Sequence, residues 1–357
     1  MKYLNALNKI PGMGPQRMKI LLKNFPDSHS AWKINLDDFK KYFSGEKLAE
    51  KFFLEKKKIN PDKEWEKLTK ENIRVISLKD PLYPALLKEI SNPPYLLYYK
   101  GNLDFQNLPT LAIVGSRKFT SYGAQVAQTF GKKLARLGMA IVSGMALGID
   151  SFAHRGALES QGKTIAVLGN SLDEKNLYPK NNVNLAHLIL SQEGTLISEY
   201  PPETSAGPLT FPARNRIIAG LSQGVLVVEA GEKSGALITA RMALDYNREV
   251  FSIPGPIFSE QSIGTNSLIK SGAKTVCGIN DILEELNLKT EKEKKPLPVP
   301  DTQEEKLILK SFSGEPLHID KIISLTRLQP TIVSGALTVM EMKGWIKNIG
   351  GQNYIII

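Results

Sequence analysis

At 357 residues, 42% hydrophobic and 23% charged, the chain has the composition of a globular protein with room for two or three domains. It holds no apolar run long enough to cross a bilayer. Its first residues, "MKYLNALNKIPGMG", lack the apolar core and cleavage site of a secretory leader, so a cytoplasmic location and no membrane partner are expected. The formal charge of +10 is unevenly spread: residues 1–109 carry 20 basic and 13 acidic side chains, residues 110–288 carry 16 and 15, and residues 289–357 carry 10 and 8.

Residues 1–60 read as a small helical domain. Two helical halves are broken by "PGMGP", whose glycines and prolines demand a tight turn and resemble a helix-hairpin-helix (SAM-like) element. Met18 stands where such hairpins carry a small residue, so a hairpin used only for packing is the alternative. Residues 61–109 are proline-rich and read as an extended lead-in packed on the next domain, with "PPYLLYYKGN" as an edge strand.

Residues 110–288 repeat a beat of apolar strand, glycine-bearing turn and amphipathic helix. The strands are "LAIVG", "MAIVSG", "TIAVLG", "TLISEY", "GVLVVEA", "EVFSIPG" and "KTVC". Strands that are apolar throughout need cover on both faces, which predicts an α/β, doubly wound, Rossmann-like parallel sheet. Its ligand is expected at the carboxyl ends of the strands. The single cysteine, Cys277, excludes an internal disulfide and a cysteine-based metal cage, and after "AKTV" it reads as a buried strand residue.

Residues 289–300, "KTEKEKKPLPVP", read as a linker. Residues 301–357 read as three helices and a hairpin, the order of a winged helix. Its recognition-helix candidate, "TIVSGALTVMEMKG", is poor in Arg and Asn, which favours a protein contact over reading of the major groove.

Two windows of the charge-balanced middle contain no acid. One lies between Asp104 and Asp150 and holds Arg117 and Lys118; the other runs from Thr204 to Val228 and holds Arg214 and Arg216. A positive patch on a neutral body is the pattern of an anion-binding face. Within the first window an apolar strand ends on Gly115, Ser116 and Arg117, and the next strand ends on Ser143 and Gly144. Such turns let backbone N–H groups and a planar guanidinium approach an anion. Neither G-x-G-x-x-G nor G-x-x-x-x-G-K-[ST] is present, so the anion need not belong to a dinucleotide or a nucleoside triphosphate. In the second window Arg214, Asn215 and Arg216 read as opening a helix, where cations oppose the dipole unless an anion compensates; internal ion pairs to Glu199 or Glu203 are the alternative.

The combination "IVGSR", "IVSGMALGIDSFAH", "FPARNRIIAGLS" and "SGALITARMALDYNREVFSIPG" resembles the DNA-processing protein A family, also called Smf. That resemblance implies a homodimeric, sequence-indifferent binder of single-stranded DNA that loads the RecA recombinase in natural transformation, with single-strand binding protein as a further partner. It maps a DNA pocket onto Gly115, Ser116, Arg117, Lys118, Ser143, Gly144, Phe211, Arg214, Asn215 and Arg216, with Asp150 and His154 in support. Phe211 is the stacking candidate, against an ordinary core phenylalanine.

No cofactor, metal or catalytic residue is expected. Ser151 and His154 sit three apart, but Asp150 is beside the serine and no nucleophile elbow is present. The four histidines are scattered at 29, 154, 187 and 318. A phosphoribohydrolase-type enzyme would need a catalytic glutamate that "EAGEKSGALITARMAL" lacks. A double-strand binder acting through the winged helix is the other alternative.

Overall fold

The structure is a computed structural model that describes residues 1–288, 300–312 and 316–356. It divides into two units, Met1–Lys289 and Thr290–Ile357. The predicted linker, residues 289–300, lies outside the described residues except for Pro300.

The first unit begins with six helices: α1 (Lys2–Asn8), α2 (Pro15–Asn24), α3 (Ser28–Trp32), α4 (Leu36–Tyr42), α5 (Glu46–Lys58) and α6 (Pro61–Lys70). The turn between α1 and α2 passes through Gly12 at φ +92°, a conformation that L side chains rarely adopt. Met18 is fully buried beside Leu7, Leu21 and Phe39, so it fills the helical core rather than leaving space for a close crossing. α6 departs from the extended reading of residues 61–109. Pro61 occupies its first turn, where a missing N–H costs nothing, and Asn60 caps it through Asp62 and Lys63.

The sheet has nine strands. In chain order these are β1 (Arg74–Ser77), β2 (Leu96–Gly101), β3 (Thr110–Val114), β4 (Ala140–Ser143), β5 (Thr164–Val167), β6 (Thr195–Ser198), β7 (Gly224–Val227), β8 (Glu249–Ser252) and β9 (Lys274–Thr275). Their spatial order is β1-β2-β6-β5-β4-β3-β7-β8-β9. The seven strands from β6 to β9 are parallel, while β1 and β2 add antiparallel. Thus "PPYLLYYKGN" forms an interior strand, not an edge: Tyr98 pairs with Val75 on one side and Ser198 on the other. Cys277 lies past the end of β9 and is exposed, contrary to the buried reading.

The intervening helices are α7 (Ala85–Lys88), α8 (Ser121–Arg136), α9 (Ile149–Glu159), α10 (Val183–Ser191), α11 (Thr210–Gly220), α12 (Gly235–Asp245), α13 (Ile263–Lys270) and α14 (Ile279–Glu285). Alternate residues of each central strand feed opposite layers. Leu111 and Ile113 of β3 face the core under α8, α9 and α14, while Ala112 and Val114 face that under α7, α11 and α12. α8 and α9 cross closely because Gly131 faces the carbonyl of Ala153, where a Cβ would stand 2.5 Å away. The chain runs outward from β3 through β6 and then returns to β7 on the opposite side of β3. The connections after β3 and β7 therefore diverge and open a crevice at the carboxyl ends of the strands.

The second unit contains α15 (Gln303–Ser311), β10 (Leu317–His318), α16 (Ile319–Thr326), α17 (Pro330–Met342), β11 (Ile346–Asn348) and β12 (Asn353–Ile356). Its sheet order is β10-β12-β11, and its core gathers Ile308, Ile322, Val333, Leu337 and Met340. This is the winged-helix arrangement, with α17 holding "TIVSGALTVMEM".

Candidate functional site

A cleft of about 870 Å³ opens in that crevice. The loop after β3 supplies Gly115, Ser116, Arg117 and Lys118; α11 supplies Phe211, Arg214 and Asn215; the segment after β7 supplies Lys233, Ser234 and Gly235. Arg117 and Lys118 are exposed, and no described carboxylate comes within ion-pair distance of either. The guanidinium carbon of Arg117 lies 5.2 Å from the Phe211 ring centroid. Phe211 is half-buried and its ring also meets Tyr178, centroids 5.7 Å apart. It lines the cleft rather than the core.

The loop carrying Arg117 is fixed from below. The Ser116 hydroxyl donates to the Lys118 carbonyl at 2.6 Å and accepts from the Lys118 amide at 3.0 Å, while the Ser116 amide donates to the Glu229 carbonyl at 2.7 Å. Ser116 therefore shapes the loop with an occupied hydroxyl. A Cβ on Gly115 would stand 2.7 Å from Ile149 and 2.9 Å from the Glu229 carbonyl, so glycine keeps this turn close to its neighbours. Ser143 is fully buried and donates to the Ile113 carbonyl at 2.6 Å, joining the ends of β3 and β4 beneath the cleft.

Arg214 forms the floor. It is 4% exposed, and its Nη1 donates to the carbonyls of Gly144 and Val167 at the ends of β4 and β5. Burial, with a smaller contribution from Arg117, draws its pKa down to about 10, against the attraction of Asp150. Asp150 is buried and accepts the Gly144 amide at 3.1 Å and the Ala146 amide at 3.4 Å, so it holds the turn after β4 as well as balancing Arg214. Burial pushes its carboxyl above the usual range, although Arg214 and the amides oppose this. Any side chain at Gly144 would enter the Arg214 guanidinium.

The helix bearing these residues begins at Thr210, so Arg214, Asn215 and Arg216 occupy its second turn instead of opening it. Their cationic charge is not explained by an anion at the helix end. Arg216 turns away from the cleft and pairs with Glu199 at 2.6 Å, both partners nearly buried. Asn215 bridges helices, donating to the Gly235 carbonyl at 3.3 Å and accepting from Arg214 Nε at 3.3 Å.

His154 lies beneath this floor, fully buried. Its Nδ1 is 2.7 Å from the Thr164 hydroxyl, which itself donates to the Ile141 carbonyl; Nδ1 therefore carries the proton and Nε2 has no partner. Burial and then Arg214 depress its pKa to about 3, so the ring is neutral. Ser151 donates instead to the Ala146 carbonyl at 2.7 Å, and serine and imidazole do not meet. Among the described residues, no group of three or more His, Cys, Asp or Glu side chains is placed to hold a metal.

Tyr178 was not singled out from the sequence. It sits in the long loop after β5, where "NLYPK" offers a tyrosine at the carboxyl end of a strand as the available signal.

Fold and cleft together define a doubly wound α/β protein with a cationic, aromatic-walled crevice at its topological switch point, joined to a winged helix. Residues 74–287 match the family model for DNA recombination-mediator protein A, and residues 292–352 match that for the DprA winged helix domain. The chain belongs to the DNA recombination-mediator protein A family. It is 36% identical to Protein Smf of Synechocystis over 99% of this chain and 98% of that protein. It is 46% identical to the DNA processing protein DprA of Streptococcus pneumoniae over 58% of this chain and 73% of that one. The X-ray structure of the S. pneumoniae protein superposes with TM-score 0.69 at 38% identity, covering 80% of this chain and 98% of that chain. A structure of the Helicobacter pylori protein, described for its unique single-stranded DNA binding mode, gives TM-score 0.54 at 33% identity over 60% of this chain and 96% of that one. No helix among the described residues is long and apolar enough to cross a membrane.

Proposed function

We propose that the cleft binds single-stranded DNA without regard to sequence, as a non-catalytic step that loads the RecA recombinase onto the strand during DNA uptake in the cytoplasm. The observation that carries this reading is the Arg117 guanidinium set 5.2 Å from the Phe211 centroid inside an open crevice. A phosphate needs a cation held in no ion pair and an unpaired base needs an aromatic side chain on the cleft wall; Arg117 and Phe211 stand side by side there. Gly115, Ser116 and Lys118 bring backbone and a second charge to the same rim, while Ser143, Gly144, Arg214, Asn215, Asp150 and His154 build the floor. Arg216 contributes through its pair with Glu199, which fixes α11. The H. pylori relative's single-stranded DNA binding mode supports the assignment. A homodimer and a handover from single-strand binding protein belong to the same reading, with α17 as a protein-contact helix.

The test is fluorescence anisotropy of labelled oligo-dT against duplex of equal length at two salt concentrations, for wild type and Arg117→Ala/Lys118→Ala. The expected result is a strong single-strand preference lost in the variant. Equal duplex binding, or indifference to both cations, overturns the assignment. RecA filament formation on the bound strand then tests the loading step.

A further inference from the structure

Two loops flank the cleft on the Phe211 side: residues 169–182 after β5, whose Gly169, Tyr178 and Pro179 line a small adjoining pocket with Phe211 and Arg214, and residues 199–209 before α11, whose Pro208 lines the cleft itself. Tyr178 on the first meets Phe211, which directly follows the second. Neither loop is held by the sheet alone. Glu203 adopts φ +71°, uncommon for a glutamate, and its carboxylate receives Lys9 at 2.8 Å and Lys67 at 2.6 Å. Lys9 ends α1 and Lys67 lies on α6, and the two also share Glu64 at 2.5 and 2.9 Å. Four charges of alternating sign thus close a ring. Lys67 and Lys9 hold the Glu203 carboxyl down at about 2.

The ring is fastened onward to the aromatic wall. The Glu203 amide donates to Asp173 at 3.0 Å, the Thr204 amide to the Ser171 hydroxyl at 3.1 Å, and the Ser205 hydroxyl to Asn176 at 3.2 Å. Each joins the 199–209 loop to the loop that carries Tyr178. The helical layer grips both loops a second time: Asn8 donates to the Glu199 carbonyl at 3.1 Å, and Glu71 accepts the Glu174 amide at 3.3 Å.

We propose that the Lys9–Glu64–Lys67–Glu203 ring is a positioning device that sets the Tyr178–Phe211 wall, so that the N-terminal helices govern strand binding without touching the strand. The inference rests on the single-stranded DNA reading above. Glu203, Lys9 and Lys67 are positioning residues: each acts through the loops, and none lines the cleft.

The sign of one substitution separates this from plain electrostatics. Glu203→Gln removes an acid from the neighbourhood of a polyanion site, which by charge alone tightens oligo-dT binding. Loss of positioning weakens it, by about 3- to 10-fold. The Glu203 side chain is 57% exposed, so the variant is expected to fold, and its urea midpoint checks this. In a Phe211→Leu background the same substitution changes affinity by less than about 2-fold, because the wall it positions has lost its ring. A Lys9→Met/Lys67→Met variant, measured in both backgrounds, repeats the non-additivity from the other side of the ring. Tighter or unchanged binding by Glu203→Gln, or a full effect that persists without Phe211, overturns the proposal. Wild type that fails to bind oligo-dT overturns the strand-binding reading and this one with it; wild type that binds while Glu203→Gln is not weakened overturns this one alone.

Discussion

The guanidinium of Arg117 and the ring of Phe211 meet across the cleft, 5.2 Å apart, one from the loop after β3 and the other from the first turn of α11. A cation at this distance from an aromatic face is attracted by the ring quadrupole, which steadies an otherwise free side chain. The pair joins a charge suited to phosphate with a surface suited to a base, and the two act through separable physics.

Arg117→Ala removes one phosphate-neutralising charge. Oligo-dT affinity is expected to fall for all base compositions alike, and the slope of log K against log salt to flatten by about 0.7. Anisotropy titrations at four salt concentrations measure both quantities.

Phe211→Leu removes the stacking face and leaves the charges in place. A loss of about 1–3 kcal/mol in binding is expected, with the salt slope unchanged. A slope that moves with this substitution contradicts the stacking role.

Arg214→Met breaks the cleft floor. It strands the Gly144 and Val167 carbonyls and leaves the buried Asp150 carboxylate without its counter-charge, a loss of about 3–5 kcal/mol in stability. Burial already raises the folded-state pKa of Asp150 above 3.8, and removing Arg214 raises it further. A carboxyl raised in the folded state contributes stability at low pH that is lost as pH rises through the folded value. The deficit is therefore larger at pH 7 than at pH 5, which urea denaturation at the two pH values reads directly.

His154 works in the opposite sense. Its pKa is depressed from 6.5 to about 3, so its contribution is present above 6.5 and drains away as pH falls through that window. His154→Gln should flatten the stability profile below pH 6.5 by about 1.4 kcal/mol per pH unit. The profile is obtained from urea midpoints between pH 6.5 and 4.

Glu199→Ala leaves Arg216 buried and unpaired, with an expected loss of about 3–5 kcal/mol in stability. Oligo-dT affinity of the folded protein is expected to fall, because the lost pair no longer fixes α11, which carries Phe211 and Arg214. A tighter complex in this variant would show that Arg216 reaches the strand once released.

The sequence by itself determined the layering and the place of the cleft. Apolar strands such as "LAIVG" and "GVLVVEA" require helices on both faces, and small turns at their ends leave room for a crevice there; these are local properties of period and residue size. The acid-free windows located Arg117 and Lys118 for the same reason. What it did not carry was direction and partnership. Arg214, Asn215 and Arg216 are consecutive letters, yet the turn of α11 sends Arg214 under the floor, Asn215 to the next helix and Arg216 to Glu199. Likewise "PPYLLYYKGN" reads as an edge, and only the docking of β1 against β2 makes it interior. The Tyr178–Phe211 contact and the Glu203 ring join segments far apart in the chain. Such contacts depend on where packed layers bring side chains together, and only the tertiary structure decides that.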